Sequence, residues 1–248
     1  MNEELLNYII LFSTPVIVGS AVWLLNLNIN KNLKLLLSFS GAFLFTICIL
    51  HLIPELYFNW NKSIGFFIMG GFFLQLILEN FSKGIEHGHA HTHTHSGIFP
   101  FSVFFSLLIH SFVEGMALIE VHHASEVTHT HSYNMPLLIG ISIHNIPVAM
   151  VLLGLMFRQQ IKLRTQLYSL LIFALSAPIG LFFANHFNEK IFSTGLNFNF
   201  LLAISVGIFL HISTTILFET SEQHHHYNYK KMAAIIIGVF IAGLTLLL

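Results

Sequence analysis

Two short polar motifs interrupt long apolar stretches of this sequence and contain residue types that bind metal ions. In HSFVEG, His110 and Glu114 are four residues apart, and in HNIP, His144 precedes Asn145. Residues four apart on a helix share one face, with Cβ atoms about 5–6 Å apart. An imidazole nitrogen and a carboxylate oxygen on that face could bind one cation at about 2.0–2.2 Å.

His144 is the expected third ligand of the same ion, because both motifs lie near the middle of an apolar stretch. Three ligands leave the ion open to water, which suits an ion that must leave again. Asn145 and Ser111 could each be a weak ligand or form a helix-packing hydrogen bond. The alternative for the main trio is that the side chains only hydrogen-bond to one another between helices. The cost of keeping a carboxylate in lipid favours metal binding.

The composition places these motifs in a membrane protein. Of the 248 residues, 55% are apolar and 8% are charged, against about 25% charged in an ordinary soluble domain. The net charge of −1 leaves no basic excess from which to argue nucleic-acid binding. Cys48 is the only cysteine, so an intrachain disulfide and a thiolate metal cluster are both excluded.

Eight unbroken apolar stretches predict an all-α fold, a polytopic membrane bundle of eight transmembrane helices. Each span uses about 20 residues, so residues 1–248 form a single transmembrane domain with no room for a separate soluble one. The spans cover approximately residues 5–25, 35–57, 63–82, 98–120, 135–157, 166–186, 198–219 and 231–248, with ends uncertain by about 2–4 residues.

The distribution of basic residues predicts the orientation of the bundle. The odd-numbered loops contain eight of the ten Lys and Arg residues, and the even-numbered loops contain Lys62 and Lys190. Basic loops stay on the cytoplasmic side. We therefore expect both termini outside, in a multi-pass protein of a cell membrane, with the bacterial inner membrane as the expected location.

Further ionisable residues are arranged along the predicted membrane normal. His51 and Glu55, in HLIPE, fall near the outer end of the second span. Glu79, His211 and Glu219 fall near the inner ends of the third and seventh spans. Together with the midplane trio, this order predicts a cation path. The alternative for the three carboxylates is solvation at a helix end.

The third loop, at residues 83–97, contains a histidine at every second position from 87 to 95. Such a tract offers interchangeable imidazoles to Zn²⁺, Cu²⁺ or Ni²⁺. On the predicted cytoplasmic side, it would trap, buffer or sense imported ions. The alternative is a low-complexity tract that binds nothing. The expected ligands are His87, His89, His91, His93 and His95.

Eight spans, the histidine-rich third loop, and the HLIPE, HSFVEG and HNIP motifs together resemble the ZIP (Zrt/Irt-like) family of divalent metal transporters over essentially the whole chain. The resemblance implies movement of Zn²⁺, Fe²⁺ or related ions toward the cytoplasm, often by a dimer, with an elevator-like motion between two sets of helices. It implies that His110, Glu114 and His144 match family ligands. Asn145 matches a position that is Asp, Asn or Glu in members of the family.

The chain departs from the family pattern at four positions. Val113 replaces the usual Pro of the fourth-helix motif, and Ser111 replaces the usual Asn. Val148 and Ala177 stand where many members have Glu. The carboxylates of a second metal position are therefore missing, and we expect one bound ion.

The sequence thus predicts a transporter, not an enzyme, that carries Zn²⁺, or alternatively Fe²⁺, Mn²⁺ or Co²⁺, as its substrate and uses no organic cofactor. One alternative is a non-transporting membrane metal sensor or buffer that uses the loops. A membrane metalloenzyme is less favoured, because the chain has no HExxH motif. The small residues Ala234, Gly238 and Ala242 favour either internal packing of the last span or a homodimer.

Overall fold

The computed structural model describes residues 3–25, 29–58, 63–82, 99–118, 135–192, 199–219 and 229–247. Within these ranges the chain forms eight helical rods and no strand, which confirms the predicted all-α fold. The second rod consists of α2, a π-helical turn and α3. The helices are α1 (Glu3–Leu24), α2 (Ile29–Ile47), the π-helical turn (Cys48–Leu52), α3 (Ile53–Phe58), α4 (Ile64–Ser82), α5 (Phe101–Met116), α6 (Met135–Arg158), α7 (Leu163–Phe192), α8 (Asn199–Glu219) and α9 (Tyr229–Thr245).

Most of the rods could cross a lipid bilayer. Six segments are long and apolar enough by length and composition, and α5 is apolar but shorter. Large apolar side chains are exposed along several of them, including Phe66, Phe73, Phe182 and Phe240. Such exposure is unfavourable in water and expected against lipid. The six segments are Glu4–Leu24, Leu33–Phe58, Ile64–Phe81, Met135–Arg158, Leu163–His186 and Asn199–Phe218.

Three rods differ in length from the predicted spans. The second span was expected over 35–57, whereas the second rod already begins at Ile29. The fourth span was expected over 98–120, but α5 covers only Phe101–Met116, because Pro100 precedes its first turn and Ala117 and Leu118 form a turn after it. The sixth span was expected over 166–186, whereas α7 covers Leu163–Phe192. Apolar composition marks the lipid-embedded part of a helix, and α7 continues through polar residues at both ends.

The π-helical turn in the second rod is a feature that the apolar pattern did not predict. The amide of Ile53 donates to the carbonyl oxygen of Cys48, five residues earlier. Pro54 follows directly, and a proline in a regular helix lacks a donor and clashes with the carbonyl four residues before it. One wider turn therefore accommodates Pro54 without ending the rod.

Glycines bring two pairs of helices into backbone contact. A Cβ atom on Gly115 of α5 would collide with the carbonyl oxygen of Ala177 on α7. Conversely, a Cβ on Gly180 of α7 would collide with the carbonyl oxygen of Phe112 on α5. Small residues at such contacts allow the close packing that associates helices in lipid. The pair α4 and α8 has the same reciprocal contact through Gly71 and Gly207.

The last rod packs inside the chain through two of its small residues. Gly238 and Ala242 are buried, and a Cβ on Gly238 would collide with the carbonyl oxygen of Phe39 on α2. These two positions therefore serve internal packing. The homodimer and the orientation of the termini stay predictions.

We expect Gly180→Ala to destabilise the protein by about 1–3 kcal/mol, because the new methyl group must displace the backbone of α5. Gly70→Ala is the matched control, since a Cβ there has no neighbour within 4 Å. Equilibrium unfolding of the purified protein in detergent measures both variants. Equal effects of the two substitutions would contradict the backbone contact between α5 and α7.

The connection between α6 and α7 predicts a stabilising substitution. Gln160 has a φ of 54°, and the following amide, of Ile161, donates to the carbonyl oxygen of Met156 at 3.0 Å. This helix ending usually has glycine in the left-handed position, which costs other residues about 1–2 kcal/mol. Gln160→Gly should therefore raise the free energy of unfolding by about 1 kcal/mol. Gln160→Ala keeps the Cβ atom, and a gain equal to that of glycine would refute the prediction.

Candidate metal centre

Three buried side chains meet between α5 and α6. Nε2 of His110 lies 3.1 Å from Oε1 of Glu114, and Nε2 of His144 lies 4.0 Å from the same oxygen. One ligand atom from each residue lies within 4.8 Å of the other two. Two ligands of one tetrahedral zinc ion are about 3.4 Å apart. The three atoms are therefore placed so that small side-chain shifts would let them share one ion.

The helical repeat explains why two of these residues meet, and tertiary packing brings the third. His110 and Glu114 are on one face of α5, whereas His144 reaches the same point from α6. The two imidazole rings lie edge to face, with centroids 5.8 Å apart and an interplanar angle of 88°. This arrangement turns both Nε2 atoms toward Glu114 without stacking the rings.

The electrostatics of the site are set by burial. The side chains of His110, Glu114 and His144 are 2%, 0% and 2% exposed. Within the described residues, neither carboxylate oxygen of Glu114 accepts a hydrogen bond, although His110 is close to one of them. Burying a charged group without a compensating charge is strongly unfavourable. The site therefore suits a cation beside Glu114.

Hydrogen bonds from neighbouring helices hold α5 in position. Oγ of Ser176 on α7 donates to the carbonyl oxygen of Leu108 at 2.6 Å. Oγ of Ser106 on α5 donates to the carbonyl oxygen of Leu78 on α4 at 3.1 Å. Such bonds between helices replace those that water would provide elsewhere. They fix the helix that bears two residues of the trio.

Two polar neighbours of the trio are also buried. Asn145, next to His144, is 1% exposed, and its Oδ1 atom accepts no hydrogen bond from the described part of the chain. Ser111, next to His110, is 2% exposed. Asn145 as an additional weak ligand therefore stays a prediction.

A serine on α2 contacts the trio, and sequence reasoning missed it. Oγ of Ser40 lies 3.4 Å from Nδ1 of His144 and donates to the carbonyl oxygen of Leu37 at 3.2 Å. The nearby Ser38 is equally buried but donates to the carbonyl oxygen of Lys34. Nothing in the sequence distinguishes the two serines, because the distinction depends on how α2 packs against α6.

The other residues of the predicted cation path form two separate pairs. Nε2 of His211 on α8 lies 2.5 Å from Oε2 of Glu79 on α4. Nε2 of His51 lies 3.8 Å from Oε2 of Glu55, where the side chains are 37% and 20% exposed. Among the described residues, only His110, Glu114 and His144 form a group of three or more potential His, Cys or carboxylate ligands. The side chain of Glu219 lies outside the described residues, as do His87, His89, His91, His93 and His95.

The two positions that depart from the expected carboxylates are buried among apolar residues. Val148 is 3% exposed and belongs to an apolar cluster that includes Leu107 and Leu152. Ala177 is 2% exposed and contacts α5 at Gly115. Neither side chain can bind a metal ion. They therefore add no carboxylate to that of Glu114.

Comparison with known proteins adds independent information. A family model described as ZIP zinc transporter matches residues 87–245, which is more than half of the chain and includes α5 and α6. No curated protein matches the chain. Together with the apolar helices, the family match shows a multi-pass membrane protein whose relatives are metal transporters. The chain belongs to the ZIP zinc transporter family.

Proposed function

We propose that this protein carries divalent transition-metal ions, above all Zn²⁺, through a cell membrane into the cytoplasm. The proposed ligands are His110, Glu114 and His144, with Asn145 as a weaker fourth donor. The observation that carries the proposal is the fully buried carboxylate of Glu114, which faces two imidazoles and accepts no hydrogen bond within the described residues. A transported divalent cation would supply the missing compensating charge.

The charge of this ligand set favours transient binding. Two neutral imidazoles and one carboxylate leave a bound divalent ion with a net charge of about +1 in a medium of low dielectric constant. Two carboxylates would neutralise the ion and retain it more firmly. Val148 and Ala177 provide no second carboxylate. The site therefore favours one ion that is released readily.

The donor atoms favour Zn²⁺ and permit related ions. Two His and one Glu are an established zinc ligand set that leaves a fourth position open. The same nitrogen and oxygen donors suit Fe²⁺, Co²⁺ and Mn²⁺, and the availability of each metal then decides which is bound. Cys48 is buried in the second rod and is not among the three grouped ligands.

The charge distribution supports inward transport through a single transmembrane domain. Basic loops favour the cytoplasmic side, which supports an orientation with both termini outside. In that orientation His51 and Glu55 lie on the entry side, and the contact between Glu79 and His211 lies on the exit side, with Glu219 beyond it. We also propose the elevator-like motion and dimer that the family resemblance implies, in a bacterial inner membrane.

We expect Glu114→Ala to reduce zinc uptake by at least about 100-fold, because the ion then loses the only charged ligand of a buried site. Uptake into proteoliposomes that contain the purified protein measures this. The matched control is Glu4→Gln, which removes an exposed carboxylate at the start of α1. If the protein moves no zinc, iron, manganese or cobalt along a gradient in either direction, the proposal is wrong.

A second function, a membrane metal sensor or buffer, is favoured by the apolar surroundings of Val148 and Ala177. Deleting residues 87–95 distinguishes the two functions. A carrier whose site lies between α5 and α6 keeps transporting with altered regulation, because the tract provides none of the three proposed ligands. A buffer loses most of its bound metal, measured by elemental analysis of the purified protein. Loss of uptake in a folded deletion variant would contradict transport through the site between α5 and α6.

A further inference from the structure

A buried serine contacts one proposed ligand from a helix that contributes none. Ser40 of α2 is fully buried, and its Oγ atom lies 3.4 Å from Nδ1 of His144 on α6. The opposite ring nitrogen, Nε2, faces Oε1 of Glu114 at 4.0 Å. The ring of His144 thus lies between Ser40 on one side and the proposed ion position on the other.

The available donors and acceptors indicate which atom donates in the contact between Ser40 and His144. A serine hydroxyl has one proton, and the carbonyl oxygen of Leu37, 3.2 Å from Oγ, can only accept. With the hydroxyl of Ser40 donating to the carbonyl oxygen of Leu37, its oxygen is left to accept the proton of Nδ1. A neutral imidazole that is protonated at Nδ1 has its lone pair at Nε2. In His144 that lone pair points to the side of Glu114.

A glycine allows α6 to lie close to α2 beside this contact. Gly140 is four residues before His144, and a Cβ atom there would lie 3.1 Å from Cδ2 of Leu44 and 3.2 Å from Cδ1 of Ile47. Both contacts are tighter than an ordinary van der Waals approach. A Cβ atom at this position would require these side-chain ends to shift by a few tenths of an ångström. The glycine therefore leaves room for the ends of Leu44 and Ile47 between the two helices, one helical turn from His144.

We propose that Ser40 is a positioning residue that holds His144 in the Nδ1-protonated tautomer, so that Nε2 is ready to bind the transported ion. The inference rests on the proposed function, because it takes His144 as a ligand. Outer-shell partners of a metal-binding histidine commonly change metal affinity about 10–100-fold when they are removed. The contact in this protein is neutral and long, so the lower end, about tenfold, is expected.

Nuclear magnetic resonance of the metal-free full-length protein tests the tautomer directly. The protein is labelled with ¹⁵N-histidine, and the His144 ring is identified as the signal that disappears in His144→Asn. Long-range proton–nitrogen correlations should show the proton at Nδ1. In Ser40→Ala, the population should shift toward protonation at Nε2. A proton at Nε2 in the unsubstituted protein, or an unchanged tautomer in Ser40→Ala, would overturn the inference.

Zinc uptake into proteoliposomes tests the consequence for transport. Ser40→Ala should raise the half-saturating zinc concentration about tenfold, and Ser40→Thr, which keeps the hydroxyl group, should restore it. Ser38→Ala is the matched control, because Ser38 is equally buried on α2 but donates to the carbonyl oxygen of Lys34. Equal effects of Ser38→Ala and Ser40→Ala overturn the inference.

The same uptake measurement separates this inference from the proposed function. If Glu114→Ala abolishes uptake while Ser40→Ala behaves like Ser38→Ala, the role of Ser40 is refuted and the transporter stands. If Glu114→Ala transports zinc normally, both are refuted. A raised half-saturating concentration in Ser40→Ala only, with loss of uptake in Glu114→Ala, supports both.

Discussion

A single carboxylate inside an apolar bundle is the constraint on which the remainder of this structure depends. Glu114 is fully buried, and two imidazoles from two helices are the nearest groups that can share a cation with it. In a medium of low dielectric constant, a charge in this position must be neutralised or compensated. The placement of α5 and α6 therefore matters for chemistry as well as for the fold, since it brings these side chains to one point.

Backbone contacts help to hold the helix that carries this carboxylate. Gly115 and Gly180 place the carbonyl groups of α5 and α7 against each other, and Ser176 adds a hydrogen bond to α5. Close backbone packing and interhelical hydrogen bonds are effective in lipid, where apolar side chains gain little by leaving an equally apolar solvent. The second imidazole comes from α6, which lies between α1 and α2. The site thus combines residues of α5, which packs on α7, with a residue of α6, which packs on α1 and α2.

Sequence patterns predicted the rods of this fold but not their pairing. A membrane span must be apolar over about 20 residues, so its presence is visible in one sequence. Which faces meet depends on small residues such as Gly71 and Gly207, whereas Gly70 and Gly243, also among the described residues, make no such contact. The π-helical turn was missed for a related reason, because Pro54 is compatible with a kink, a helix end or a wider turn.

The candidate site shows the same division between local and long-range information. The spacing of His110 and Glu114 predicted that they share a face, because the helical repeat alone determines this. The position of His144 beside them depends on how two different helices are placed relative to each other. The sequence favoured this position only because both motifs lie near the middle of their spans. The sequence could not identify Ser40, because Ser38 is also a serine on α2 and is equally buried.

The apolar surroundings of Val148 constrain how this protein could evolve. A mutation that introduced a glutamate at this position would place a new charge among Leu107, Leu152 and their neighbours before any second ion could bind there. A carboxylate ligand at position 148 would therefore require that its apolar neighbours be replaced by polar residues as well.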